Sequence, residues 1–141
     1  MSVLLCAVGV ALVLLVLLDF LLTTVSLRRE GPLTELVSAV TGRLIGGMRP
    51  SICAYGGPIT LSALVATWIV GQWVGWTLIF FSARGSLGGP DQAPLVGFWD
   101  LVGFAGGKLS TLGLGAVTPL SPWVHVFVVL ASVCTMLVLT L

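Results

Sequence analysis

Gly107-Lys108-Leu109-Ser110-Thr111-Leu112-Gly113-Leu114-Gly115-Ala116-Val117-Thr118-Pro119 lies between two long apolar segments and is too rich in glycine to be a third. Glycine recurs at alternate positions, Gly113 and Gly115, where it supplies backbone dihedrals that other residues adopt only at a steric cost. Upstream, Trp99-Asp100 opens a short helix expected to run to about Ser110. Asp100 is the expected N-cap, its carboxylate satisfying free N–H groups of the first turn. Downstream, Thr118-Pro119 leads into the last apolar run. Taken alone, a Gly-x-Gly stretch also fits a plain loop between two helices.

The core of this stretch, Thr111-Leu112-Gly113-Leu114-Gly115, resembles the selectivity filter of potassium channels, commonly Thr-Val-Gly-Tyr-Gly. Such a filter replaces the water shell of an ion with backbone carbonyls. The resemblance extends over residues 58–141: outer helix, short helix, filter and inner helix form the pore module of the potassium-channel superfamily. The nearest pattern is that of small bacterial channels with one pore module and an extra N-terminal helix. It implies ion binding at Thr111, Leu112, Gly113, Leu114 and Gly115, with the Thr111 hydroxyl closing the inner site. One chain supplies one filter strand, so the resemblance implies a homotetramer around a central axis. Three positions depart from the family pattern. Ala116 stands where an aspartate is usual, Leu114 replaces the aromatic residue, and Lys108 places a cation in the last turn before the filter.

The 141 residues are 57% hydrophobic and 8% charged, with mean hydropathy +1.17, which is a membrane composition. A net charge of +1 gives no field for nucleic acid. Cys6, Cys53 and Cys134 have neither disulfide nor zinc spacing, and no structural metal or cofactor is expected. Val3–Leu22 is long enough to span a bilayer. Asp19 interrupts it and is expected near its end, held by Arg28, Arg29 or a backbone donor. Asp19-Phe20-Leu21-Leu22-Thr23-Thr24 also resembles an Asp-x-x-x-Thr-Thr pattern of that small bacterial group.

Leu33, Leu36, Val37, Val40, Leu44 and Ile45 recur with a helical period between Gly31-Pro32 and Gly46-Gly47, with Thr34, Ser38 and Thr41 on other faces. This predicts an amphipathic helix lying in the membrane interface plane. Pro58–Phe81 is the second span, with Trp73 and Trp76 as an aromatic belt and Trp68 packed against a neighbouring helix. Trp123–Leu141 is the third, with Ser132, Thr135 and Leu139 on one stripe facing an inner cavity. Four arginines in residues 28–57 place that connection in the cytoplasm.

The expected fold is therefore an all-α membrane protein with three transmembrane helices. A re-entrant helix and filter loop lie between the second and third, and a cytoplasmic amphipathic helix between the first and second. Residues 1–57 form the N-terminal unit and 58–141 the pore module. The chain is expected in the plasma membrane, N-terminus outside and C-terminus in the cytoplasm. His125 has no ligand partners at useful spacing, no hydrolytic or redox constellation is present, and no strands are expected, so an enzyme is not the expected reading. The function implied is a potassium-preferring cation channel. The alternatives are a weakly selective sodium/potassium channel or a channel-like assembly protein that does not conduct.

Overall fold

The computed structural model describes residues 2–25, 31–47, 55–88, 97–110 and 118–140. Five α-helices occur among these residues: α1 (Ser2–Val25), α2 (Pro32–Gly46), α3 (Gly56–Ser82), α4 (Phe98–Leu109) and α5 (Pro122–Thr140). α1 has 24 residues and α3 has 27, so each rises about 36–40 Å. Both are long and apolar enough to cross a membrane. In α5 the apolar stretch is shorter, Pro122–Val138.

α1 and α3 pack antiparallel because small residues let their backbones approach. A Cβ on Gly9 would lie 2.8 Å from the Gly75 carbonyl oxygen, one on Gly75 2.7 Å from Val13, and one on Gly71 2.7 Å from Val16. Gly71 and Gly75 are one turn apart on α3 and form the small-xxx-small surface that supports close packing of apolar helices. Gly75→Leu should therefore separate α1 from α3 and destabilise the fold by more than the ~1–3 kcal/mol typical of overpacking. Thermal unfolding in detergent measures this, with the exposed Gly57→Leu as control.

α2 runs back along the first half of α3. Thr34 meets Asp19 and Thr41 Oγ1 meets Thr60 Oγ1 at 3.2 Å. Ile45 lies against Gly56. This corrects the expectation of a helix lying flat in the interface plane. It also corrects the facing. Thr34 is buried and Thr41 half-buried, whereas Leu36, Val40 and Leu44 are exposed. The polar threonines turn inward because they find hydroxyl and carboxylate partners there, and burial of a polar group is tolerated once it is paired.

α4 starts beside the end of α3, where Phe81 and Phe98 rings are 6.0 Å apart. It ends near Ile69 and Gln72, about halfway back along α3. Leu101, Phe104, Ala105 and Leu109 bury one face against Trp76 and Phe80, with the Phe80 and Phe104 rings 5.1 Å apart and edge-on. Its N-cap is Gly97, and Asp100 is the third helical residue. This corrects the expectation that Asp100 caps the helix. Its charge still sits in the first turn, where the helix dipole favours an anion.

The short segments flanking α4 are tied together. Leu87–Gly88 (β1) pairs antiparallel with Thr118–Pro119 (β2), and Leu120 N donates to Ser86 O at 2.9 Å. Two-residue strands have too little sequence for a period-2 signal, which is why no strand was expected. α5 then returns antiparallel to α3. Val124 and Ala131 join the cluster around α4, and Val138 joins Val16, Phe20, Leu64 and Trp68.

Trp76 is 3% exposed and belongs to the core, so it is not an aromatic-belt residue as expected. The tryptophans with the largest exposure are Trp99 at 79% and Trp123 at 77%, which open α4 and α5 at the same end.

Candidate functional site

Among the described residues, two places bring polar groups together inside largely apolar surroundings. The first is at Asp19. Its carboxylate is fully buried. Oδ1 accepts from Leu33 N at 2.7 Å and Thr34 N at 3.2 Å. Oδ2 accepts from Thr34 Oγ1 at 2.8 Å and from Trp68 Nε1 at 2.9 Å. Leu33 and Thr34 are in the first turn of α2, whose N-terminal N–H groups have no helical acceptor. α2 begins at Pro32 and its N-cap residue, Gly31, has no side chain to cap it. Asp19 supplies from α1 the oxygen that a capping residue would otherwise supply locally.

The neighbouring threonine completes the cluster. Thr23 Oγ1 donates to Asp19 O at 2.8 Å and accepts from Gly31 N at 3.3 Å. It also lies 2.8 Å from Thr34 Oγ1. Thr24 Oγ1 donates to Phe20 O at 2.7 Å. The Asp-x-x-x-Thr-Thr pattern is thus one helical turn that clamps the start of α2. Gly31 is required by close approach, since any Cβ there would collide with the Asp19 carboxylate. Of the expected partners of Asp19, the backbone donors are found, while Arg28 and Arg29 lie outside the described residues. Trp68 packs against a neighbouring helix as expected; the partner is Phe20 of α1, with ring centroids 5.1 Å apart. Its indole bond to Asp19 had no signal in the sequence, because the two residues are 49 positions apart.

The second place is the C-terminal end of α4. The helix stops at Leu109, and Ser110 N donates to Gly106 O at 2.9 Å. The candidate ion-binding residues Thr111, Leu112, Gly113, Leu114 and Gly115 lie outside the described residues. Trp73 locks the helix from the side. Its Nε1 donates to Val102 O at 3.0 Å, and its ring covers Gly106, where a Cβ would be 3.3 Å from Nε1. Lys108 places Nζ over the Phe104 ring, 5.5 Å from its centroid and one turn back along the helix. Side chains on a helix lean toward its N-terminus, so the ammonium is drawn toward an aromatic face.

The cavity-lining candidates on α5 separate. Thr135 is buried, donates to Ala131 O at 2.9 Å and lines a cavity of about 340 Å3 shared with α3 and α4. Ser132 is half-buried and donates to Val128 O at 3.1 Å. The Leu139 side chain lies outside the described residues. Gln72 was not singled out from the sequence. It is 1% exposed, and its Oε1 accepts from Trp76 Nε1 at 3.0 Å. A lone glutamine in an apolar run is the signal that could have found it. Among the described residues no group of three His, Cys, Asp or Glu side chains could hold a metal ion.

This chain is similar to a curated relative, the uncharacterized membrane protein YdjJ of Bacillus subtilis (strain 168), with 32% identity over 115 residues. The matched region is 79% of this chain and 34% of the relative, so the chain spans about a third of that protein's length. No family model and no solved structure matches. The two long apolar helices and this relative together identify a helical membrane protein.

Proposed function

We propose that the chain is a potassium-selective or potassium-preferring cation channel that conducts passively as a homotetramer. The observation that carries this reading is the position of the Thr111–Gly115 motif. It begins two residues after α4, which enters beside the end of α3 and stops halfway along it. A helix ending at mid-depth aims its partial negative charge at the chain that follows, a favourable field for a cation. In this reading α4 is a re-entrant pore helix. α1, α3 and α5 are the three spans, and α2 stands on the cytoplasmic side with the arginines of residues 28–57. The antiparallel order of α1, α3 and α5 supports an alternating path across the bilayer.

Carbonyls of Thr111, Leu112, Gly113 and Leu114 from four copies would replace the hydration shell of the ion. The Thr111 hydroxyl would add the innermost ligands. Reconstitution into liposomes, with flux read under separate potassium and sodium gradients, tests this. Potassium flux exceeding sodium flux is expected. Equal fluxes identify a weakly selective channel, and no flux from a correctly assembled protein identifies a channel-like assembly protein. Native mass measurement in lipid should give four copies; a monomer or dimer as the sole species rules the pore out.

Lys108 has a directional prediction. Removing its positive charge by Lys108→Thr should raise cation flux without changing assembly. The ammonium lies back over Phe104. Contact with an aromatic face is worth ~0.5–1 kcal/mol at exposed sites, enough to bias the side chain that way. The gain should accordingly be small, about fivefold or less if repulsion across high dielectric is under ~1 kcal/mol. Unchanged flux would mean that Lys108 has no influence on the ion path.

A further inference from the structure

α2 is fastened to α1 and α3, the two helices long and apolar enough to cross a membrane, so their depth fixes its own. At the end of α3 the Arg84 guanidinium lies 5.3 Å from the Phe81 ring centroid. Phe81 meets Phe98 at 6.0 Å, and Phe98 meets Trp99 at 5.6 Å. The exposed Trp99 and Trp123 open α4 and α5 at this end. Exposed tryptophans mark a headgroup boundary. Val3 of α1 lies near the same level, because Gly9 meets Gly75 and Ile79. A hydrocarbon core about 30 Å thick takes about 20 helical residues. Counted from Phe81 it ends near Leu61 of α3, and counted from Val3 it ends near Leu22 of α1.

α2 crosses that second boundary. Its first turn is tied to Asp19, which precedes Leu22, and through Asp19 to Trp68, which lies inward of Leu61. The start of α2 is therefore about 5–10 Å inside the hydrocarbon. Its last turn lies against Gly56, beyond Leu61 and about 7 Å outside. The bonds at the start agree with this depth. Gly31 N donates to Thr23 Oγ1, and Leu33 N and Thr34 N donate to Asp19 Oδ1. Pro32 has no N–H. A helix end in water can leave such donors to the solvent, whereas in hydrocarbon the protein must satisfy each one. Glu35 shares this depth; it is in the first turn, where the helix dipole favours an anion.

We infer that α2 stands across this headgroup boundary and that phospholipid covers its outward stripe. Leu36, Val40 and Leu44 form the stripe, 61%, 47% and 61% exposed and one turn apart, with Arg43 exposed beside them. Leu36 lies against acyl chains, Val40 at the boundary, and Leu44 and Arg43 among headgroups, where the guanidinium meets phosphate. The chemistry follows the depth, apolar first and basic in the last turn. A second copy of the chain fits the stripe less well. Three aliphatic side chains offer on the order of 300 Å2, against about 800 Å2 per partner in a stable protein interface. This seat in the bilayer does not depend on conduction.

The test uses the full chain in liposomes with Cys6, Cys53 and Cys134 changed to alanine. Nitroxide labels are placed singly through Leu36→Cys, Val40→Cys and Leu44→Cys. Collision with oxygen, which dissolves in hydrocarbon, is compared with collision with a water-soluble nickel chelate. Oxygen should dominate at position 36 and nickel at position 44, with position 40 between. The inferred depths should differ by about 12 Å from first to last, the rise of eight helical residues. Equal depth at all three means a helix flat in the interface. Nickel contact at all three means a helix outside the bilayer. Exclusion of both reagents with dipolar broadening means a second copy on the stripe. Each of these outcomes overturns the inference. A second measurement needs no substitution. A phospholipid with a diazirine near the carboxyl end of one acyl chain should, after photolysis, leave adducts on Leu36 or Val40 and none from Arg43 to Gly46. Absence of adducts from α2 also overturns it.

Discussion

Asp19→Ala should lower the unfolding free energy by about 3–9 kcal/mol, the cost of leaving three buried or part-buried donors without an acceptor at ~1–3 kcal/mol each. The donors are Leu33 N, Thr34 N and Trp68 Nε1. Thr34 Oγ1 is spared because it lies within hydrogen-bond distance of Thr23 Oγ1. Since whole domains are stable by only ~5–15 kcal/mol, this single change removes a large share. Asp19→Asn keeps the shape but turns an N–H₂ toward donors, so it should also destabilise, by at least ~2 kcal/mol. Trp68→Phe keeps the ring that packs on Phe20 and loses one bond to a carboxylate, costing about 1–3 kcal/mol.

Thermal or denaturant unfolding in detergent measures the three. Amide hydrogen exchange distinguishes a local tie from a general loss. Exchange at Leu33 and Thr34 should accelerate in Asp19→Ala even under conditions where α1 and α3 remain protected. A variant within ~0.5 kcal/mol of the native protein, with unchanged exchange, would show that the carboxylate does not hold α2.

Asp19 also shows what the sequence could and could not reveal. That an acid in an apolar run needs donors was legible, and backbone donors were among those named. Which backbone was not, because the bonds to Leu33 and Trp68 close loops of 14 and 49 residues that no local pattern records. The α2 helix was bounded correctly by Gly31-Pro32 and Gly46-Gly47. Its facing was misread because periodicity ranks side chains by hydrophobicity, whereas Thr34 and Thr41 have hydroxyls whose partners sit on the neighbouring helices. Trp76 was misplaced for a related reason. An aromatic residue near a helix end is an interface signal only if that end is free, and here α4 folds back over it. The apolar runs 3–22 and 58–81 marked α1 and α3, which extend further as Ser2–Val25 and Gly56–Ser82, and the short helix expected from Trp99-Asp100 to about Ser110 is α4, Phe98–Leu109.

Gly113→Ala or Gly115→Ala should reduce cation flux by at least about 100-fold while leaving α1–α5 folded. In the filter proposed above, a ladder of carbonyls facing one side would demand at each glycine dihedrals that L-residues avoid. A Cβ there costs ~1–2 kcal/mol per residue in a left-handed conformation. A fourfold pore repeats the cost in every copy, so one substitution puts about 4–8 kcal/mol against the conducting arrangement. At 1.4 kcal/mol per factor of ten, even the lower figure exceeds 100-fold. Thr111→Ala is milder, removing a hydroxyl ligand and no backbone freedom, so it should lower flux and shift potassium against sodium preference without abolishing conduction. The described helices meet one another through Gly71, Gly75, Phe80, Phe104 and Asp19, none of them in the Thr111–Gly115 motif. Helicity and thermal stability should accordingly stay near native in all three variants. If flux persists at native levels through Gly113→Ala and Gly115→Ala, the motif is a glycine loop and the channel reading falls with it.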